Sequence, residues 1–532
     1  MQSFLQSERK YLFLLSLFWL LAVIFVNPIG DFPLNDDGIY SRWLESVFFE
    51  NTNNFQNIIV PNLFLQAVWG KSLCELSGGF SLTTLRFSTL ILAYFSIFLT
   101  YSLCQSVLKD RYLSLIIAIA LVFNPIFFSL SHTFMTDVPF LFFLLASLYC
   151  YSSFFQAKKI GFRISGFLFG ICAFLIRQPG IIAIFVFELG ILFFSDRSKS
   201  YWTSFALFIA MLLIGYFGVK FFMKDYLVEK QAFASPIEGF FQQLKKQPSI
   251  FLFQLIKRAL MTVFYLGLFS LPFVVPFFKK LIAINRLKIA IFLPILFFNI
   301  TITYLLNQTG YTFPYGGNIF YDWGLGPVLL PDVHRYGITT LPQLPKIMVM
   351  SFGLICQIYG CYLVIYCVRL LFQLKTTAPK NQFLLLFTLF NACSLIALLS
   401  FNFFDRYLLA PTLAIWLLLS PSIDLKPKVS QWSIIIILTL YATFAVLGTK
   451  DYLNWNKAVK TAFVKLQEQK VSIEDIDAGV GFNEFYKDDP YDANEEYLIT
   501  RGDIEGYVKQ DSVGVFQYLW WEEQWIYTLK KK

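Results

Sequence analysis

Two stretches carry acids where an otherwise apolar chain has little reason to keep them. Asn35-Asp36-Asp37-Gly38-Ile39-Tyr40 follows the first apolar run, and Asp137 sits in the short turn from Ser131 to Pro139 between two later runs. Neither stretch has a base beside it in sequence. Acids at a membrane edge without a local counter-ion are candidates for function. A carboxylate there can accept a proton from an attacking hydroxyl or ligate a divalent cation. Asp36 or Asp37 could equally cap a helix that starts near Ile39, and Asp137 the helix that follows it. A second set is cationic. Arg86 begins one apolar run, Arg177 ends another, Arg406 lies in Asn402-Phe403-Phe404-Asp405-Arg406-Tyr407, and Lys71 and His132 occupy connecting segments. Arginine is suited to binding a phosphate with two parallel hydrogen bonds. The plainer reading is that these side chains snorkel to lipid headgroups, or that Arg406 pairs with Asp405.

The elements that must position these residues follow from composition. Of 532 residues, 57% are apolar and only 14% charged, with 63 Phe and a mean hydropathy of +0.60. Soluble domains carry about 25% charged residues, so a string of soluble domains is excluded and a polytopic membrane protein is expected. Spans of about 20 apolar residues are placed at 11–29, 83–107, 112–130, 138–156, 162–176, 179–194, 202–222, 258–278, 289–306, 347–368, 381–400, 407–422 and 432–449, thirteen in all. Arg9 and Lys10 precede the first, and no small-residue cleavage site follows it, so it is expected to be a retained anchor. Eighteen bases fall in short linkers on one face, which puts the N-terminus in the cytoplasm. Nucleic acid is not an expected partner, because basic loops of this kind set topology. The eight Cys show neither a disulfide framework nor metal-ligand spacing.

This topology leaves four pieces on the outer side. They are a first loop over 30–82, loops over 223–257 and 307–346, and a tail over 450–532 that holds 11 bases against 16 acids. The division is thus a membrane domain, 1–449, and an extracytoplasmic C-terminal domain, 450–532. Residues 58–73 and 237–257 mix apolar and polar faces as interfacial helices do. The tail opens with a helical pattern over 455–469 and continues as short mixed segments of a small α/β domain. Trp520-Trp521-Glu522-Glu523 is expected on an amphipathic helix near its end.

The ordered set of motifs resembles the GT-C glycosyltransferases, among them the protein O-mannosyltransferases and the aminoarabinose transferases of lipid A. The resemblance rests on NDDGIY at 35–40, LRFSTL at 85–90, MTDVPF at 135–140, IRQPG at 176–180 and FDRYLLAP at 404–411, and on Asp475 to Gly479 followed by Gly481-Phe482-Asn483 in the tail. It covers nearly the whole chain in order. One departure is Asp37, where many relatives have Glu. The third outer loop aligns with nothing, which leaves acceptor choice open.

The resemblance implies an all-α GT-C membrane fold and an inverting transfer of a sugar from a polyprenyl-phosphate donor, among membrane lipids, to an acceptor hydroxyl on a lipid, glycan or protein. It places Asp36 as the base or orienting carboxylate, with Asp37 beside it and Asp137 fixing the site. Tyr40 would line the cavity, and Lys71, Arg86, His132, Arg177 and Arg406 would receive the leaving phosphate. A divalent metal ion is a further cofactor it allows, with Asp36 and Asp137 as ligands. The expected location is a bacterial inner membrane. The competing class is a transporter or flippase of lipid-linked sugars. Such proteins carry internal repeats and midplane ionisable sites, whereas here no repeat is visible and the acids gather at one face.

Overall fold

The computed structural model describes residues 2–34, 36–50, 63–177, 244–277, 346–372, 404–420, 425–487 and 495–532, with short pieces between 179 and 217 and between 293 and 326. Thirteen helices are labelled here in chain order: α1 (Gln2–Val26), α2 (Asp37–Phe48), α3 (Phe64–Leu76), α4 (Leu82–Leu108), α5 (Arg111–Val122), α6 (Pro125–Ser131), α7 (Asp137–Ala157), α8 (Ile160–Phe174), α9 (Pro248–Phe269), α10 (Lys346–Phe372), α11 (Leu409–Leu419), α12 (Lys428–Glu468) and α13 (Val480–Tyr486). Five of them are long and apolar enough to cross a membrane, and α5 with α6 makes a sixth if that bent pair counts as one span. Shorter apolar helices lie at 160–174 and 351–366. The expected spans at 179–194, 202–222, 289–306 and 381–400 fall largely or wholly outside the described residues, so the structure gives a bundle of apolar helices without fixing their number at thirteen.

Local chemistry sets the helix ends. Ser81 caps α4 by accepting from the Thr84 N–H, Asp110 caps α5 through Tyr112 and Leu113, and Asn124 caps α6 through Ile126 and Phe127. Pro125 enters the first turn of α6, lacks an N–H, and breaks the expected single span with a bend of 60°. In the bundle α4 packs on α5 and α7, α7 on α8, and α9 on α10. Gly267 and Gly360 let α9 and α10 approach closely, since a Cβ at either would lie about 2 Å from a carbonyl oxygen of the partner helix.

Three segments differ from the sequence reading. Helix α9 begins at Pro248, so 248–257, expected as part of an interfacial helix, runs unbroken into the span. Its apolar side chains continue the helical pattern past Lys257 and Arg258, whose long stems tolerate a membrane edge. Helix α12 passes without interruption through 449–450, where a domain boundary was placed, because no proline or turn signal separates its lipid-exposed half from the half that carries the tail. The expected amphipathic helix near Trp520 is instead a β-hairpin. Glu522 to Lys531 alternates side by side in the strand period of two, and Trp521 takes a left-handed turn conformation with φ 53°.

The tail sheet has four strands, β3 (Ile476–Asp477), β4 (Tyr497–Thr500), β5 (Tyr507–Gln517) and β6 (Glu522–Lys531), in the order β3-β4-β6-β5. β3 and β4 run parallel, and the other pairs antiparallel. The β5–β6 hairpin lies along the C-terminal half of α12. A separate two-stranded ribbon pairs β1 (Phe320–Tyr321) with β2 (Gly324–Leu325).

Candidate active site

The loop after α1 is tied to the start of α4 before the site begins. Arg86, buried in the second turn of α4, donates to the carbonyls of Pro28 (3.1 Å), Gly30 (2.6 Å) and Phe32, and its guanidinium lies over the Phe32 ring. Asp31 accepts from Ser81 and from the Thr83 N–H. The loop therefore leaves the membrane edge on a fixed path.

The two adjacent carboxylates do different work. Asp37 is buried and faces the protein. It accepts from the Leu34 N–H at 2.6 Å and the Phe134 N–H at 3.2 Å, which staples α2 to the α6–α7 turn. Burial pushes its pKa up to about 6, against the pull of Arg86 and the two N–H groups. Asp36 occupies the N-cap position of α2 without making a capping hydrogen bond. Its side chain stays 38% exposed and pairs with Arg406 at 3.0 Å. Beside both, Gly38 meets the tail: a Cβ there would stand 2.4 Å from the Gly481 carbonyl oxygen. Only glycine permits that contact between α2 and α13.

Asp137, in the first turn of α7, is buried between two arginines. One oxygen pairs with Arg177, and the other lies 4.0 Å from the Arg406 Nε. Arg406 comes from the 3-10 turn Asp405–Leu408 that leads into α11. Four charged groups from four elements, spread over 370 residues, thus alternate as Asp36, Arg406, Asp137, Arg177. Burial opposes the charge on both arginines. The carboxylates more than offset it, Asp36 and Asp137 at Arg406 and Asp137 at Arg177, and hold both pKa values above the ordinary arginine value. Tyr40 is buried within reach of all four charges. Burial, and then Asp36, pushes its phenol up.

Of the residues expected in the site, Asp36, Tyr40, Asp137, Arg177 and Arg406 come together. Arg86 and Asp37 lie directly behind, holding the backbone that presents Asp36. Lys71 and His132 lie elsewhere. Lys71 pairs with Glu75 one turn along α3. His132 is buried against Trp19 and Phe128, and its Nδ1–H donates to the Phe128 carbonyl at 2.8 Å. Burial lowers its pKa to about 4, so the ring is neutral and unsuited to receiving an anion by charge. Sequence reasoning missed Tyr407 and Phe404, whose rings underlie Arg177 (4.8 Å) and Arg406 (4.5 Å). The signal was the run Phe404 to Tyr407 itself, where aromatic residues flank a charge pair. Asp405, the alternative partner for Arg406, accepts from the Ile319 N–H at 3.2 Å.

Asp36 and Asp137 are the ligands expected for a divalent cation. Among the described residues no three His, Cys, Asp or Glu side chains cluster closely enough to hold one. Asp36 and Asp137 each face a guanidinium. The arrangement can bind a doubly charged phosphate through two arginines, while an exposed carboxylate stands beside it.

Residues 68–218 match the family of dolichyl-phosphate-mannose-protein mannosyltransferases. That match includes Arg86, Asp137 and Arg177, and the chain resembles the GT-C glycosyltransferases. Comparison with curated protein sequences gives no match. Among solved structures the chain is similar to ArnT from Cupriavidus metallidurans bound to undecaprenyl phosphate, at 11% identity and TM-score 0.42, over 99% of this chain and 98% of that one. It is similar to the Archaeoglobus fulgidus oligosaccharyltransferase in complex with Zn and sulfate, at 15% identity and TM-score 0.47, over 86% and 56%. The S. cerevisiae protein O-mannosyltransferase Pmt1-Pmt2 complex bound to the sugar donor gives 17% identity and TM-score 0.32, over 45% and 37%. The chain thus covers less than two thirds of the archaeal and yeast chains. At such scores the likenesses carry no weight beside the family match and the site geometry.

Proposed function

We propose that this protein is an inverting membrane glycosyltransferase that moves a sugar from a polyprenyl-phosphate donor to an acceptor hydroxyl at the outer face of a bacterial inner membrane. The observation that carries the reading is the alternating cluster Asp36, Arg406, Asp137, Arg177 at one end of the apolar bundle. Transporters place their ionisable sites near the bilayer midplane, whereas this partly exposed carboxylate and its two arginines gather at one end of the bundle.

In the proposed reaction the lipid phosphate of the donor takes the place of Asp36 on Arg406 and adds Arg177, which is itself 19% exposed. The freed Asp36 carboxylate orients the acceptor hydroxyl and accepts its proton. The hydroxyl oxygen bonds to the anomeric carbon from the face opposite the phosphate as the carbon–oxygen bond to phosphate breaks. The bonding electrons leave on the polyprenyl phosphate, and the arginines stabilise that charge where it develops. Asp137 touches neither reactant. It fixes both guanidiniums at the spacing the phosphate needs. The arginines do the work a metal ion would do elsewhere.

The test is mass spectrometry of envelope glycans, lipids and glycoproteins from a deletion strain complemented with the wild-type gene or D36N. The reading expects one missing sugar and an accumulated polyprenyl-phosphate sugar in the deletion and in D36N, both restored by the wild type. Identical profiles in all strains would overturn it.

A further inference from the structure

The aromatic end of the β5–β6 hairpin has no part in the reaction, yet it is placed with some care. Asp451 of α12 accepts from the Tyr518 N–H at 2.7 Å and the Leu519 N–H at 2.9 Å, which fixes the hairpin turn to the helix. Further along, Lys465 pairs with Asp511 at 2.7 Å. From 451 to 465 the helix rises about 21 Å, and from 518 to 511 the strand covers about 23 Å. The hairpin therefore runs along α12, with its turn at the membrane end and its open end farthest away.

At that turn the hairpin meets the lipid-facing surface of the bundle. The Tyr518 ring stands edge-on to Phe25, near the end of the apolar stretch of α1, at 6.2 Å between centroids. Lys450 lies over both rings and donates to the Phe25 carbonyl at 2.7 Å. Ile24, next in line on α1, is 71% exposed, as a lipid-facing residue is. Trp521 is 76% exposed, and Phe516 packs against it at 5.3 Å with its own outer side open. Phe516 and Trp525 share the sheet face turned away from α12, where Gly514 leaves room for the Trp525 ring. Glu523 shares that face, so the patch suits the polar–apolar boundary and not the hydrocarbon. Aromatic rings beside a lysine at the end of a span are the composition of a membrane–water interface.

We infer that the 518–521 turn, with Phe516 and Trp521, rests in the lipid headgroup layer and docks the tail domain on the bilayer. The occupant of this exposed patch is the lipid surface, because the patch continues the lipid-facing side of α1.

The full chain, reconstituted in phosphatidylcholine–phosphatidylglycerol vesicles, is labelled with bimane at W521C, at F516C or at E505C. The parent chain, taken through the same labelling, serves as blank. Glu505 lies at the opposite end of the hairpin and is exposed. The 521 and 516 probes are expected to be quenched by lipid carrying a headgroup nitroxide, and to be several-fold less accessible to aqueous iodide than the 505 probe. Equal iodide access at 521 and 505 would overturn the inference. So would protection from iodide at 521 without nitroxide quenching, which would mean that protein covers the turn. Since 521 is so exposed, its substitution leaves the fold intact. The 516 probe gives a second reading from the same patch.

Discussion

Asp37 offers a quantitative check on the division of labour between the two neighbouring carboxylates. In the unfolded chain its pKa is the ordinary 3.8, whereas burial raises it to about 6 in the folded protein. The native state thus holds a proton more tightly than the unfolded one. Stability then falls as pH rises through this interval, because the slope follows the excess of protons bound by the unfolded state, which is negative here. At about 1.4 kcal/mol for each tenfold change, the full effect is about 3 kcal/mol. It is present below pH 4 and lost above pH 6. D37N cannot titrate, so this contribution disappears from the variant. Unfolding of wild type and D37N, followed in detergent with urea at pH 4.0 and 7.5, should give curves that are not parallel. D37N should lose stability relative to wild type at pH 4.0 and regain about 2.4 kcal/mol of that loss at pH 7.5, since the unfolded carboxyl is already partly ionised at pH 4.0. A difference independent of pH would refute the placement of Asp37 as a buried carboxylate holding Leu34 and Phe134, and would return it to the reacting groups.

Asp36 should behave in the opposite manner. D36N removes one partly exposed ion pair, worth about 1 kcal/mol or less, so its unfolding curve should overlie the wild type while transfer to acceptor falls on the order of 10² to 10⁴, as loss of a general base does. R177A should raise the apparent KM for polyprenyl-phosphate sugar more than that for acceptor in a steady-state assay varying each in turn. An equal rise in both would assign Arg177 to structure alone. R86A leaves three carbonyls without their shared donor, and at roughly 1–3 kcal/mol for a lost buried partner it should lower the melting temperature and slow transfer together. G38A should destabilise the junction between α2 and the tail, seen as faster proteolysis after α12, because the Gly481 carbonyl occupies the place of the new methyl.

Much of the site was legible because apolar sequence makes charge informative by position. Asp36, Asp137, Arg177 and Arg406 could be found by asking which charges remain once topology is satisfied. Their mutual pairing was not legible, since the partners lie up to 370 residues apart and only the bundle brings them together. Nor was the difference between Asp36 and Asp37. One residue of helix turns a side chain by about 100°, which is enough to point one carboxylate at the Arg406 guanidinium and the other at the Phe134 N–H. Lys71 and His132 looked equivalent to the arginines by type, but Glu75 on the same helix face neutralises the first and burial discharges the second. The tail helix and the last span were separated in the sequence reading because hydropathy changes at 450, yet hydropathy reports the solvent around a helix and not its end.

The separation of groups behind the site from groups facing it explains why so small a cluster can be both rigid and replaceable by substrate. A buried ion pair that loses one partner typically costs about 3–5 kcal/mol, so a donor phosphate could not displace Asp137 from beneath the arginines. Asp36 is a different case. Its carboxylate is more than a third exposed and makes a single contact with Arg406, and water can replace that contact as the phosphate arrives. The backbone that carries it does not have to move, because Arg86 and Asp37 secure it from both sides. In the proposed reaction, donor binding would convert Asp36 from the counter-ion of Arg406 into an unpaired carboxylate beside the acceptor. On that proposal the carboxylate would be freed to act as a base only when a donor is present to react.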